Sequence, residues 1–327
     1  MRRLAPLAMM VSVACLAAAC GEPATLTPDQ ALAAGKKAFQ SLSSFHLSGT
    51  LTADSTSTLV KATVLSNGDA SGTITLGADT SNFRIVSHAY YFDTLNPFVE
   101  SSLNGDLAAL ATHLKGAHWW QAPPSHPIGS VLDFLSPTSF SVFFLSGRSH
   151  LSETTETGSH GRWKLQDSSG TIYLASAAPH EVVEVKSAEN YLVNGATNLD
   201  LSLSAFDQPA TVALPAAFLS NLPQSFPPFF VVDSVEVKGE CNASGCVLTG
   251  MVRPAAGNGG SATVNFALLD KDHKQIGSCT TTASLKDFDD VKPVSCRAVG
   301  SGWTHFYYGG GGTYYVQGLA NNPDYNP

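Results

Sequence analysis

Charged residues are scarce in this 327-residue chain, at 13% of the total. Lys and Arg together number 18 against 26 Asp and Glu, which gives a formal net charge of -8, and no basic cluster stands out along the chain. Nucleic-acid binding depends on several Lys or Arg side chains that neutralise backbone phosphates. The composition therefore argues against nucleic acid as a partner.

The motifs that mark common enzymes and metal sites are also missing. The chain has no H-E-x-x-H, no G-x-S-x-G, no P-loop and no G-x-G-x-x-G after a predicted strand. Its ten histidines are scattered, and Asp287, Asp289 and Asp290 lack the ligand order and closing Glu of a calcium loop. We therefore expect a non-enzymatic protein with no cofactor and no metal.

One long apolar run is present, at the N terminus. Arg2 and Arg3 precede an apolar stretch over 4–19 that ends in small residues, which is the layout of an export signal. The stretch is shorter than the roughly 20 apolar residues of a transmembrane helix, and no later stretch is longer. The pattern predicts a signal peptide over 1–19.

Three alanines precede Cys20-Gly21, and this junction resembles a bacterial lipobox, in which the cysteine takes diacylglycerol and becomes the new N terminus. Ala17 stands where such motifs usually have Leu, so cleavage by an ordinary signal peptidase remains the alternative. The resemblance implies that Cys20 is lipidated, that 20–26 is a tether, and that the protein is anchored at the outer face of the cytoplasmic membrane or in the cell envelope.

Four cysteines remain after Cys15 leaves with the signal and Cys20 takes lipid, so the set is even. Disulfides persist in the oxidising compartments that exported proteins reach. Three pairings are open, and we favour Cys241–Cys246 with Cys279–Cys296, because each of these pairs brackets a predicted turn. Zinc is the less favoured reading, since paired C-x-x-C or Cys/His spacing is absent.

The apolar pattern predicts an α+β unit over 27–214. Thr27, Pro28 and Gln30 have the positions of an N-cap, a first helical residue and a capping box, so a helix should begin there. Alternating strands follow from Phe45, then helical spacing near the middle of the chain, then alternating strands again. This order predicts one antiparallel sheet with helices on its apolar face.

The segment after this unit is rich in proline. Pro215, Pro223, Pro227 and Pro228 disfavour both helices and central strands, so we interpret 215–228 as a linker. Short strands between turn signals then predict a small immunoglobulin-like β-sandwich over 229–327. Within it, residues 305–316 place tyrosine pairs on either side of four glycines, which predicts a hairpin.

The order of elements in the first unit and the amino-acid sequences of several segments resemble those of the LppX and LprG group of actinobacterial lipoproteins. The matching segments are Ala38 to Thr52 (AFQSLSSFHLSGTLT), Trp119-Trp120, Gly170 to Tyr173 and Leu201 to Leu214. The resemblance implies a LolA-like fold, a curved antiparallel β half-barrel covered by helices, that carries a lipid or glycolipid in its hollow. No short binding motif defines this group, so the resemblance is a stronger basis for predicting the fold than for predicting the ligand.

The predicted function is therefore membrane-anchored binding or transport of a hydrophobic ligand. Two alternatives stay open: a structural or adhesion lipoprotein with a filled barrel whose C-terminal sandwich binds a protein or glycan partner, and an accessory subunit of an envelope complex. Apolar residues on the predicted inner face and on the covering segment 128–144 are the candidate ligand contacts: Leu47, Leu51, Ile74, Leu76, Phe83, Ile85, Val131, Leu135, Phe140, Phe143 and Phe144.

The lipidation of Cys20 is directly testable. Cys20→Ser removes the thiol that would take the diacylglycerol, so the variant should pass from the membrane to the soluble fraction. Cell fractionation and labelling with radioactive fatty acid measure this. Cys15→Ser, which alters the signal alone, should stay in the membrane. Equal retention of all three forms, with no label on the wild type, would contradict the prediction.

Overall fold

A computed structural model describes residues 26–53, 56–122, 132–156, 161–193 and 195–326. Cys20, the predicted signal over 1–19 and the tether up to residue 25 lie outside the described residues, as does Val131. The helices are α1 (Pro28–Gln40), α2 (Pro97–Ser102), α3 (Gly105–His113), α4 (Pro137–Phe140) and α5 (Ser301–Tyr308). A 3₁₀ turn (Asp133–Leu135) precedes α4, a π-helical turn (Ser141–Leu145) follows it, and a second 3₁₀ turn covers Pro223–Ser225.

The strands fall into three sheets. Those of the large sheet are β1 (Ser44–Ala53), β2 (Thr56–Leu65), β3 (Ala70–Leu76), β4 (Asp79–Val86), β5 (Ala89–Phe92), β6 (Trp120–Ala122), β7 (Ser152–Glu156), β8 (Arg162–Asp167), β9 (Gly170–Ala175), β10 (Val182–Ser187) and β11 (Ala196–Ser204). Those of the two small sheets are β12 (Phe229–Val237), β13 (Cys246–Ala256), β14 (Gly260–Asp270), β15 (Gln275–Leu285), β16 (Lys292–Ala298) and β17 (Tyr314–Ala320).

The large sheet is open and antiparallel, with the order β6-β5-β4-β3-β2-β1-β11-β10-β9-β8-β7. Consecutive strands form two meanders, and these meet where β1 pairs with β11, for example at Leu47 opposite Leu203. Both strands bury alternate apolar residues on the same face of the sheet, as their period of two predicts. The predicted α+β class with an antiparallel sheet is confirmed.

Helix α1 lies against the apolar face of this sheet. Its predicted capping box is present: the Thr27 backbone N–H donates to Gln30 Oε1 (2.9 Å), and the Gln30 backbone N–H donates to Thr27 Oγ1 (3.3 Å). The buried stripe includes Gly35 and Phe39. A Cβ at Gly35 would lie 2.8 Å from the His180 carbonyl oxygen, so only glycine allows the helix to approach the sheet this closely.

The two small sheets, β12-β13-β16 and β15-β14-β17, enclose a second core that includes Leu248, Phe266 and Trp303. Both favoured disulfides, Cys241–Cys246 and Cys279–Cys296, are present. The second one joins β15 of one sheet to β16 of the other, and so covalently ties the two layers together.

The hairpin predicted over 305–316 is wrong, because its first part belongs to helix α5. Trp303 on this helix is buried in the second core and its indole N–H donates to the Asn242 carbonyl oxygen (2.9 Å). The glycine-rich stretch then connects α5 to β17, which pairs with β14. Tertiary packing of one tryptophan therefore outweighs the local turn signal.

Residues 215–228 connect the two units, but they do not form a free linker. Leu219 and Phe226 are buried in the core of the first unit. The Leu219 backbone is hydrogen-bonded to β6 and to Trp119, which precedes that strand. The Leu219 carbonyl accepts from the Gln121 N–H, and the Leu219 N–H donates to the Trp119 carbonyl, both at 2.7 Å. The prolines exclude regular structure, whereas the apolar residues between them anchor the segment.

The C-terminal tail also departs from the expected sandwich. After β17 the chain returns to the first unit, where Asn326 N–H donates to the His113 carbonyl (2.7 Å) and Lys115 N–H donates to the Asp324 carbonyl (2.9 Å). The predicted module over 229–327 therefore ends in a segment that bonds to the end of α3.

The two disulfides should differ in what they contribute to stability. They close loops with sequence separations of 17 and 5. Loop-closure entropy predicts that Cys279→Ala/Cys296→Ala lowers the free energy of unfolding by about 3 kcal/mol and Cys241→Ala/Cys246→Ala by about 2 kcal/mol. Urea unfolding of the two double variants measures this difference. If removal of Cys241–Cys246 cost more stability than removal of Cys279–Cys296, loop length would not explain what the two disulfides contribute.

Candidate functional site

Most of the predicted ligand contacts lie together in the core of the first unit. The buried ones are Leu47, Leu51, Ile74, Phe83, Ile85, Leu135, Phe140 and Phe144. Leu76 is half-buried and packs against this core, whereas Phe143 is 36% exposed. The sequence pattern thus identified one apolar face of the sheet and the helical segment over 133–145 that packs on it, which we call the helical cover. Phe143 lies on this cover with its ring partly exposed.

Phenylalanine rings fill the space between the sheet and its helical cover. Phe140 lies 4.9 Å from Phe39 and 4.6 Å from Phe144, measured between ring centroids, and Phe39 lies 5.0 Å from Phe45. Phe134 packs edge-on against Phe144 at 5.9 Å. Side chains with almost no accessible surface adjoin no void large enough for a water molecule. The expected ligand hollow is therefore a packed core at the buried residues.

A cavity of about 400 Å³ opens instead at one end of the helical cover. We call it the lid cavity. Its lining residues are Val142, Phe143, Phe144, Ser146, Gly147, Arg148, Ser169, Ser187, Tyr191, Leu192 and Val193. They come from the π-helical turn and the segment after it, from the β8–β9 turn and the end of β10, and from the loop before β11. The cavity therefore forms only when the cover is folded onto the sheet.

The π-helical turn determines which way its two phenylalanines point. Phe144 is 2% exposed and belongs to the phenylalanine core, whereas Phe143 beside it faces the lid cavity. π-helical turns are rare and occur frequently at functional sites. This turn brings a core residue and a cavity residue next to each other in the chain, so that one short segment contributes to both the core and the cavity.

Polar contacts hold the cover in place. Lys36 Nζ on α1 donates to Ser146 Oγ (2.6 Å), and Gln40 Nε2 donates to Ser141 Oγ (3.4 Å). On the other side, the Tyr90 hydroxyl on β5 donates to the Asp133 carboxylate. Burial, followed by this carboxylate, raises the pKa of Tyr90 well above its usual value, so the tyrosine remains a neutral donor.

A buried ion pair forms part of the cavity wall. Arg148 donates to the Asp167 carboxylate, and each side chain is only 6% exposed. Arg148 Nε also donates to the Phe144 carbonyl oxygen (3.0 Å), and Asp167 accepts from the Ser169 backbone N–H (2.8 Å). Buried charges need such compensation because their desolvation is costly. The result is a fixed polar wall with hydroxyl groups of three serines beside it.

The rim of the lid cavity is apolar and exposed. Val142, Phe143, Tyr191 and Leu192 all present large side chains to solvent, and Leu192 is 66% exposed. Polar groups at the wall and apolar groups at the rim suit an amphiphile, with its head inside and its hydrocarbon part on the rim. The sequence did not reveal Arg148, Tyr191 or Leu192, because they lie in irregular segments where neither periodicity applies.

The described residues contain no metal site: no group of three His, Cys, Asp or Glu side chains among them is placed to hold a metal ion. Among the helices that the structure describes, none is long and apolar enough to cross a membrane. Comparison of the sequence with protein-family models finds no match, and comparison with curated proteins finds none either. The lid cavity is therefore the feature that bears most directly on function.

Neighbouring phenylalanines provide a test of this geometry. Phe144→Ala removes a ring from the packed core and should lower the free energy of unfolding by about 3–5 kcal/mol. Phe143→Ala removes a partly exposed ring and should cost about 1 kcal/mol or less. Chemical denaturation of both variants measures the difference. Equal losses would show that both rings are core residues and that the rim is not as described.

Proposed function

We propose that this protein is a membrane-tethered, extracytoplasmic lipoprotein that binds a lipid or glycolipid at the lid cavity. The observation that carries the proposal is the combination of an exposed apolar rim with a fixed polar wall at the edge of the helical cover. Cys20 would supply the anchor at the outer face of the cytoplasmic membrane or in the cell envelope. The two disulfides support an oxidising compartment.

Each unit has a distinct part in this proposal. The open antiparallel sheet with helices on one face supports a LolA-like half-barrel as the binding unit. The two small sheets support an immunoglobulin-like module that spaces or presents it, or contacts an envelope protein. Because the connecting segment and the tail both bond to the first unit, the module would hold the lid cavity at a defined orientation.

Burial of hydrocarbon provides most of the expected affinity. Apolar surface removed from water contributes about 25 cal/mol per Å², so an acyl chain laid over Val142, Phe143 and Leu192 binds without directional contacts. Ser146, Ser169 and Ser187 are among the lining residues and suit a polar, hydroxyl-bearing head. Arg148 is neutralised by Asp167, which favours an uncharged head such as that of a glycolipid.

The packed phenylalanine core favours a second candidate function. If no ligand binds at the lid cavity, the protein is a structural or adhesion lipoprotein with a filled barrel, and its C-terminal module carries the binding to a protein or glycan. Exposed tyrosines on that module, among them Tyr308 and Tyr315, would then be the contact surface. Ligand binding at the lid cavity distinguishes the two functions.

Two exposed leucines give a matched experiment. Leu192 lines the lid cavity and is 66% exposed, whereas Leu222 is 62% exposed and is not among the cavity residues. Leu192→Ser should weaken binding of a fluorescent monoacylglycerol by about fivefold, which corresponds to about 1 kcal/mol of lost apolar contact. Leu222→Ser should leave binding unchanged, and neither substitution should alter the unfolding midpoint appreciably.

The same preparations can be analysed by mass spectrometry of their organic extracts. A lipid that copurifies with the wild type and is depleted from Leu192→Ser supports the proposal. If no lipid copurifies and the fluorescent monoacylglycerol does not bind, or if both leucine variants bind it equally, the lipid-binding function is wrong and the filled-barrel function replaces it.

A further inference from the structure

A larger cavity, of about 570 Å³, lies where the two units meet. We call it the junction cavity. It is formed by the last turns of α3, the start of β12, the end of β17 and the C-terminal tail. Its lining residues are Ala109, Leu110, His113, Lys115, Phe229, Ala320, Asn321, Asn322, Pro323, Tyr325 and Asn326. The volume is within the range of small-molecule sites, which often occur between domains.

The walls of this cavity are held rigidly by contacts between distant parts of the chain. The Asn322 side chain bonds to both backbone groups of Phe230, accepting from the N–H (2.8 Å) and donating to the carbonyl (3.1 Å). Tyr325 is buried and its hydroxyl donates to the Pro227 carbonyl (2.8 Å). The cavity is therefore preorganised, which limits the entropy lost when a ligand binds.

One wall is aromatic and uncharged. Phe229 and Tyr325 pack edge to face with ring centroids 4.9 Å apart, and Leu110 lies beside them. Burial raises the pKa of Tyr325 to about 12, with a smaller contribution from Asp324, so this ring stays neutral near neutral pH. Such a wall fits a flat apolar group.

One edge carries basic groups. His113 and Lys115 line the cavity, whereas none of its lining residues is Asp or Glu; Asp324, which precedes Tyr325, lies outside the lining. Lys115 Nζ donates one hydrogen bond, to the Pro323 carbonyl (2.9 Å), which holds the ammonium group at the cavity edge. In a chain whose net charge is -8, a cavity lined by a lysine and by no carboxylate favours an anionic ligand.

We propose that the junction cavity binds a small carboxylate with a flat apolar body, the body packing on Leu110, Phe229 and Tyr325 and the carboxylate on Lys115. The site is independent of the lid cavity, since the two share no lining residue. It depends on both units, because α3 of the first unit and strands β12 and β17 of the second all contribute lining residues.

The probe for this test is 2-naphthoic acid, titrated against the full chain by isothermal calorimetry. Ala109→Trp places a large ring in the cavity from an exposed position on α3 and should abolish binding. Thr112→Trp puts the same ring on the same helix, outside the lining residues, and should bind as the wild type does. Equal binding by the two tryptophan variants would overturn the proposal.

The charge contact is tested separately. Lys115→Met should weaken 2-naphthoic acid binding by about fivefold, as expected for an exposed ion pair, and should leave the neutral analogue 2-naphthalenemethanol unaffected. Lys37→Met on α1 changes the net charge equally and should have no effect. A loss shared by both lysine variants, or the absence of saturable binding by the wild type up to about 1 mM, would refute the site. Leu192→Ser should bind the probe normally.

Discussion

The antiparallel pairing of β1 with β11 joins the two meanders into one sheet. Because the pairing places Leu47 opposite Leu203 and buries both, it aligns the apolar faces of the meanders into one surface. That surface is too large to remain in water, so α1 and the cover must pack on it. The lid cavity lies where the end of the cover meets the β8–β9 turn and the end of β10.

The cover illustrates how stability and binding are combined in one short segment. Phe140 and Phe144 contribute to the packed core, whereas Phe143 and Val142 reach the rim. Ligand contacts can therefore change at the rim without loss of core packing. Movement of the cover, in contrast, would break contacts among the rings of the core. Binding at the edge of the cover avoids this loss of packing energy.

The second unit is attached to the first at both ends. Leu219 and Phe226 anchor the proline-rich segment, and the tail bonds to α3 and to Lys115. Two attachments restrict rotation far more than a single flexible linker would. The junction cavity follows from this arrangement, because its two walls come from chain segments that meet only when both attachments form.

The sequence by itself determined the elements whose signals are local. Thr27 and Gln30 are enough to start α1, alternation is enough to assign most strands but not the short β6 and β7, and the turns bracketed by the cysteines indicated the correct disulfides. These features depend only on residues that are close in the sequence or that alternate along one strand. A sequence pattern is therefore sufficient to predict them.

Only the tertiary structure decided which apolar residues are core and which line a cavity. Phe143 and Phe144 are identical in type and adjacent, yet packing of the π-helical turn buries one and exposes the other. Arg148, Leu192 and the tail residues around Tyr325 lie in irregular segments and acquire their roles from partners far away in sequence. Burial is a property of the whole packed chain, and no local pattern specifies where packing leaves space.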